Sequence, residues 1–264
     1  MDLAGKYGLH AQVSFYRIPG YASGGDKEPT DLFSDAETLR VACEYWKTLA
    51  RRYRDVPNDK LTFNLFNEPV HMEEERYAPV VRALVAAIRE VDEKRFLVSD
   101  AVDYGRIPML SLADVKGLGQ SYHSYDPHSV THYRAPWVEL GDAVPVWPPM
   151  PEAGHLGPGP RRQYDSPGME YIYRKSLQQW NPLIDAGVFV NVGEFGVWKK
   201  TPHKVALALI EDELALFKDR NVGWAMWEFR GGFGVLDSER DDVEYEDFHG
   251  HKLDRKLLEL LRRY

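Results

Sequence analysis

Short apolar runs alternate along this chain with stretches whose apolar residues recur at helical spacing, the rhythm of parallel strands joined by crossover helices. The pattern predicts six strands: GLHAQVSF (8–15), LTFNLF (61–66), RFLVSD (95–100), KGLGQSYH (116–123), VFVNVGEF (188–195) and VGWAMWEF (222–229). Most are apolar on both faces, as strands covered on both sides must be. Val80, Val81, Leu84, Val85, Ile88 and Val91 form one helical stripe, and Leu253, Leu257, Leu260 and Leu261 form another near the C-terminus. Both stripes are predicted to face the core. Ser34 with Glu37 reads as a capping box, and Thr201 followed by Pro202 reads as an N-cap and first-turn pair.

The rhythm stops between Asp126 and Pro167, where 9 of the chain's 17 prolines fall. Tyr133, Trp137, Trp147 and Tyr164 are spread through this long Pro-rich loop. A structureless segment of such length inside a compact domain is either a surface excursion or a functional wall, and the pattern leaves both readings open.

Composition narrows the class. With 264 residues, 44% hydrophobic and 12% aromatic, the chain can bury one large core, and no compositional break marks a boundary, so residues 1–264 are expected to form a single domain. Asp and Glu (41) exceed Lys and Arg (33), and the resulting charge of -8, with no basic block, argues against nucleic acid as a partner. The single cysteine, Cys43, excludes an internal disulfide framework. No apolar run is long enough to span a bilayer.

Two carboxylates carry the chemistry. LTFNLFNEPV drives an apolar run straight into Glu68, and VFVNVGEFGVW does the same with Glu194. A lone strand-end glutamate is more often a helix cap or the partner of an arginine. Two in matched contexts change that balance, because parallel strands closed into a barrel bring their C-terminal ends to one face, where barrel enzymes carry their chemistry. A pair of acids there suits glycosidic bond cleavage: one protonates the leaving oxygen and the other attacks or activates water. HSYDPHSVTH offers three imidazoles, His123, His128 and His132, but the segment reads as a proline-broken loop without the helical spacing of a zinc motif, so no metal and no cofactor is expected.

At these residues the chain resembles glycoside hydrolase family 5. Asn67-Glu68-Pro69 is similar to the family's acid/base motif and Gly193-Glu194-Phe195-Gly196 to its nucleophile motif. His123-Ser124-Tyr125 is similar to the His-x-Tyr pair after the sixth strand, and Trp227 to the eighth-strand tryptophan that floors the cleavage subsite. The resemblance implies a retaining glycosidase with Glu68 as acid/base and Glu194 as nucleophile, their carboxyls about 5 Å apart. It implies sugar contacts from Asn67, His123, Tyr125 and Trp227. Tyr16 and Arg17, and Trp198 just past the nucleophile motif, complete the candidate substrate-binding set.

The family barrel has eight β/α pairs, whereas the first strand here, followed by Arg17-Ile18-Pro19-Gly20, is similar to the family's third. The expected fold is therefore an α/β, TIM-type (β/α) barrel, incomplete, with six of eight pairs. The lost second strand normally carries an arginine that bonds the nucleophile; Arg17 is a candidate substitute, and Tyr16 stands where the family often has a histidine. Open edges on such a remnant invite pairing, so a homo-oligomer is expected. The implied substrate is a β-linked glucan, with endo-β-1,4-glucanase activity first and β-mannanase activity next. A sugar-binding pseudoenzyme and a metal-dependent hydrolase are the readings from other classes. The family implies secretion, but MDLAGKYGLHAQVSF has no recognisable signal peptide, so localisation stays open.

Overall fold

The computed structural model describes residues 1–24, 27–149 and 164–264. The strands that matter are β1 (Ala11–Ser14), β2 (Leu61–Asn64), β3 (Leu97–Asp100), β4 (Leu118–Ser124), β5 (Val190–Phe195) and β6 (Gly223–Trp224). They lie in one sheet in chain order, which makes the fold an incomplete (β/α) barrel of six strands. The helices are α1 (Ala36–Tyr53), α2 (Glu74–Arg89), α3 (Pro167–Lys175), α4 (His203–Asp219) and α5 (Arg255–Leu261). No described helix is long and apolar enough to cross a membrane. Contacts group the chain into two units, Met1–Tyr122 with Pro182–Asn191, and His123–Asn181 with Val192–Tyr264.

In the first unit β1, β2, β3 and the start of β4 run parallel, with Ala11 opposite Leu61, Phe63 opposite Leu97 and Leu97 opposite Leu118. Every residue of β2 and β3 is buried, as an apolar run covered on both faces demands, whereas β1 alternates between half-buried and exposed. β1 has a strand neighbour on one side only. α1 buries Thr38, Ala42, Trp46 and Ala50, spaced four apart on one face. Trp46 meets Phe15 edge-on at 4.8 Å and donates its indole N–H to the Leu65 carbonyl at 3.1 Å, fixing the chain just beyond β2. The α2 stripe is buried at Val80, Val81, Leu84, Val85 and Ile88, each such side chain contributing about 1.5–3 kcal/mol.

The second unit takes the end of β4, most of β5, and β6. Ala225 N–H donates to the Val192 carbonyl and Trp227 N–H to the Phe195 carbonyl, both at 2.8 Å. Phe195 is wedged edge-on between Phe217 of α4 and Trp224 of β6. Leu257 and Leu260 of α5 are buried, and Leu253 of their stripe belongs to a short hairpin, Glu246–Phe248 with His251–Leu253.

Four sequence expectations need correction. The strand expected over 222–229 is regular only at Gly223–Trp224; the single bonds at Ala225 and Trp227 continue its pairing, and apolar spacing does not separate a ladder from extended chain. The N-cap of α1 is Asp35, which accepts from Thr38 N–H at 2.7 Å, while Ser34 gives its hydroxyl to Asp31 and Glu37 pairs with Arg40. Two adjacent cap formers cannot be ranked by pattern alone. Thr201 does not cap α4; its hydroxyl donates to the Val130 carbonyl, and the free amide of His203 is satisfied by Asp242. The expected loop 126–167 contains a helical turn, His128–Thr131, and residues 150–163 of it lie outside the described residues.

Candidate active site

Glu68 follows β2 in the first unit. Its φ of 46° lies in the left-handed region, which costs an L residue roughly 1–2 kcal/mol, and Pro69 disfavours the right-handed helical alternative. The conformation is held from both sides. The Glu68 amide donates to Asp100 Oδ2 at 3.0 Å, and the buried Tyr21 hydroxyl donates to the Glu68 carbonyl. Burial pushes the Tyr21 phenol up, and the charges of Glu68 and Asp100 push it further, so it remains a donor. On the side chain, Ser23 Oγ donates to Glu68 Oε2 at 3.3 Å and receives the Asn67 amide at 2.9 Å. Asn67 is therefore oriented through the same serine that touches the acid.

Tyr16 and Arg17 are in this unit. Tyr16 is 60% exposed, a large aromatic face open to solvent. Arg17 Nε donates to Glu28 at 2.5 Å.

Glu194 lies on β5 in the second unit, its side chain 17% exposed. Tyr125 donates its phenol to Glu194 Oε2 at 2.9 Å, and the buried His123 imidazole places Nδ1 3.8 Å from the same oxygen. His123 is at the end of β4 and Tyr125 directly follows it, and the alternation of extended chain puts residues two apart on one face. Ser124, between them, points the other way and donates to Glu213 of α4 at 2.6 Å. A hydrogen-bond donor on Oε2 favours negative charge there, which an attacking carboxylate needs. Gly196 follows because a Cβ at that position would stand 2.3 Å from the Trp227 carbonyl oxygen. Trp227 itself is 42% exposed, its indole available to a ligand.

The imidazoles beyond β4 are packed rather than splayed. His128 opens a helical turn and His132 follows it, its amide donating to the His128 carbonyl at 2.9 Å, contrary to the expected loop, and their rings meet edge to face at 4.9 Å. Burial, reinforced by His128, brings the His132 imidazole down to about 4, so it is neutral near pH 7. Its ring packs on Tyr125 at 5.1 Å and Phe233 at 5.5 Å. Phe233 also contacts Trp198 at 5.3 Å, and Gly232 lies so close over the Trp198 ring that a Cβ would be 2.1 Å from it. Trp137 is 55% exposed and stands edge-on against Trp198 at 4.7 Å. Tyr133 is buried and Trp147 donates to Asp212, so the described part of the Pro-rich segment is anchored.

Sequence reasoning did not single out Tyr21, Ser23, Asp100 or Phe233. Asp100 had a signal, since it ends an apolar run just as the two glutamates do. Tyr21 and Ser23 had none, because a short hairpin, Arg17–Ile18 with Tyr21–Ala22, delivers them.

A family profile described as Cellulase (glycosyl hydrolase family 5) matches residues 18–232, most of the chain and both glutamate motifs. The chain belongs to glycosyl hydrolase family 5. It is thus a glycoside hydrolase by family, and Glu68 and Glu194 fall within the matched span. Endoglucanase C of Acetivibrio thermocellus is 25% identical over 267 residues, covering 91% of this chain and 74% of the relative. A crystal structure titled only as a glycoside hydrolase superposes with a TM-score of 0.83 at 31% identity, covering 98% of this chain and 77% of that one. Cel5A of Thermotoga maritima, solved with mannotriose, has a TM-score of 0.69 at 24% identity over 98% of this chain and 75% of its own, a likeness of fold.

Proposed function

We propose that this family 5 member is a retaining β-glycosidase acting on β-linked glucan, with endo-β-1,4-glucanase activity as the first expectation. The supporting observation is that the family match runs through two glutamates, one just past β2 and one near the end of β5, each held by hydrogen bonds. In the reading we adopt, Glu194 attacks the anomeric carbon while Glu68 gives its proton to the departing glycosidic oxygen. A covalent glycosyl ester on Glu194 results. Glu68, now ionised, takes a proton from water as that water attacks the anomeric carbon, and the ester bond breaks. Asn67, oriented by Ser23, is assigned to the hydroxyl beside the reacting carbon; Trp227 offers an apolar face to a sugar ring. His123 and Tyr125 line the nucleophile, and Trp198, Tyr16 and Arg17 are assigned to more distant sugars. The endoglucanase relative supports glucan over mannan. We also propose that copies of the chain associate, because among the described residues β1 and β6 each have a strand neighbour on one side only.

The test is hydrolysis of an aryl β-cellobioside and of soluble β-1,4-glucan and mannan, with and without chelator. Turnover that survives chelator and disappears in Glu194→Gln supports the proposal. Oligosaccharide binding with no turnover in the parent chain contradicts it, as does inactivation by chelator. Light scattering at micromolar concentration decides the association: a strict monomer removes it.

A further inference from the structure

A third strand also ends in a carboxylate. Asp100 closes β3, is fully buried, and uses one oxygen for each of two donors: Oδ1 accepts from Asn64 Nδ2 at 2.7 Å and Oδ2 accepts from the Glu68 amide at 3.0 Å. A buried carboxylate is costly unless its oxygens are satisfied, and this one is satisfied by the end of β2 and by the acid/base candidate itself. On the far side of the Glu68 Cα, Tyr21 holds the carbonyl. The two peptide groups that flank Glu68 are thus gripped by side chains from two other elements, while the residue between them keeps its left-handed φ.

We propose that Asp100 is a positioning residue for Glu68, setting the direction of its carboxyl through the backbone amide. The inference rests on the reading of Glu68 as acid/base and deepens it. An asparagine or serine at position 100 offers fewer acceptor sites to the two donors, whereas a carboxylate presents one oxygen to each without reorganisation. Proton delivery demands a carboxyl within hydrogen-bond reach of the leaving oxygen, and a misplacement of about 1 Å costs on the order of 10²-fold in rate.

A role in proton delivery leaves a signature that a general loss of structure does not. The experiment measures kcat/KM for Asp100→Ala on two aryl β-cellobiosides. Phenol needs a proton to leave, and 2,4-dinitrophenolate does not. A loss of about 10²-fold on the phenyl substrate with less than about 3-fold on the dinitrophenyl one supports the proposal. Azide, an anion that attacks the glycosyl ester without a base, is then expected to raise kcat and yield the β-glycosyl azide. Equal losses on both substrates, or no loss, overturn it.

Glu68→Ala is run in parallel. If it fails to show the leaving-group dependence, the reading of Glu68 itself falls; if it shows it and Asp100→Ala does not, only the role of Asp100 falls. Should Asp100→Ala not fold by circular dichroism, Tyr21→Phe decides, since it removes the donor to the Glu68 carbonyl, together with the acceptor the phenol offers the Val70 amide, and leaves Asp100 in place. The same leaving-group dependence, at about 10-fold, supports the clamp, and equal losses on both substrates reject it.

Discussion

Glu68 and Glu194 are both strand-end glutamates, yet their surroundings hold different parts of the residue. At Glu68, Asp100 accepts from the amide and Tyr21 donates to the carbonyl, while Ser23 makes a 3.3 Å contact to the carboxylate. Around Glu194 the contacts go to the carboxylate itself, with Tyr125 at 2.9 Å and His123 at 3.8 Å on one oxygen. A proton donor must stand within hydrogen-bond reach of the leaving oxygen, and fixed placement secures that. A nucleophile is better served by donors that stabilise its charge. The backbone clamp at Glu68 and the donors on the Glu194 carboxylate both fit the proposed division of labour.

The largest expected effect breaks the comparison at its centre. Glu194→Gln is expected to lower kcat by about 10⁴-fold or more on every substrate, with no recovery in azide, whereas Glu68→Gln loses about 10²–10⁴-fold only where the leaving group needs a proton. Stopped-flow and steady-state assays on a leaving-group series read the difference. If the two variants behave alike, the assignment of roles is wrong.

A smaller effect sharpens the Glu194 side. Tyr125→Phe removes one hydrogen bond to a carboxylate, worth about 1.5–3 kcal/mol, so kcat/KM is expected to fall about 10–100-fold. The fall should appear on activated and unactivated substrates alike, since the phenol supports the nucleophile rather than the proton donor. Tyr16→Ala should act more weakly still. As a peripheral sugar contact it is expected to raise KM several-fold, about 1 kcal/mol, with kcat kept.

The smallest expected effect concerns stability. Glu213 is fully buried, and burial pushes its carboxyl well above the usual value of 4.5, so the folded protein keeps the proton. A folded pKa above the unfolded one gives a contribution that is whole below about pH 4.5 and is lost as pH rises toward the folded value. Glu213→Gln keeps an acceptor for Ser124 and cannot ionise. Its thermal midpoint is expected to exceed that of the parent at pH 7.5, with the gap closing toward pH 4.5; differential scanning calorimetry across that range decides.

Much of the fold was legible because burial on both faces leaves its mark in composition: β2 and β3 lie in largely apolar runs and are wholly buried, whereas β4, equally buried, carries Gln120, Ser121, His123 and Ser124. The α2 stripe was legible for the same reason. The cap of α1 was not, since Ser34 and Asp35 are adjacent and equally able, and the amide at the start of α4 is satisfied by Asp242, far along the chain. Glu68, Glu194, His123 and Tyr125 could be named from local motifs because their strand-end positions carry the geometry. Asp100 met the same strand-end criterion, but its value lies in a bond to an amide just past the neighbouring strand, and backbone acceptors and donors leave no trace in residue identity. Phe233 was hidden differently: its place under His132 and Trp198 depends on how the loops after β5 and β6 close.

The most direct measurement is a crystal structure of the parent chain inactivated by an activated 2-deoxy-2-fluoro-β-cellobioside. The account predicts an ester from Glu194 to the anomeric carbon in the α configuration, with the Glu68 carboxyl about 5 Å from that carboxylate. Labelling of another residue, or a Glu68 carboxyl too remote to flank the same bond, would contradict it.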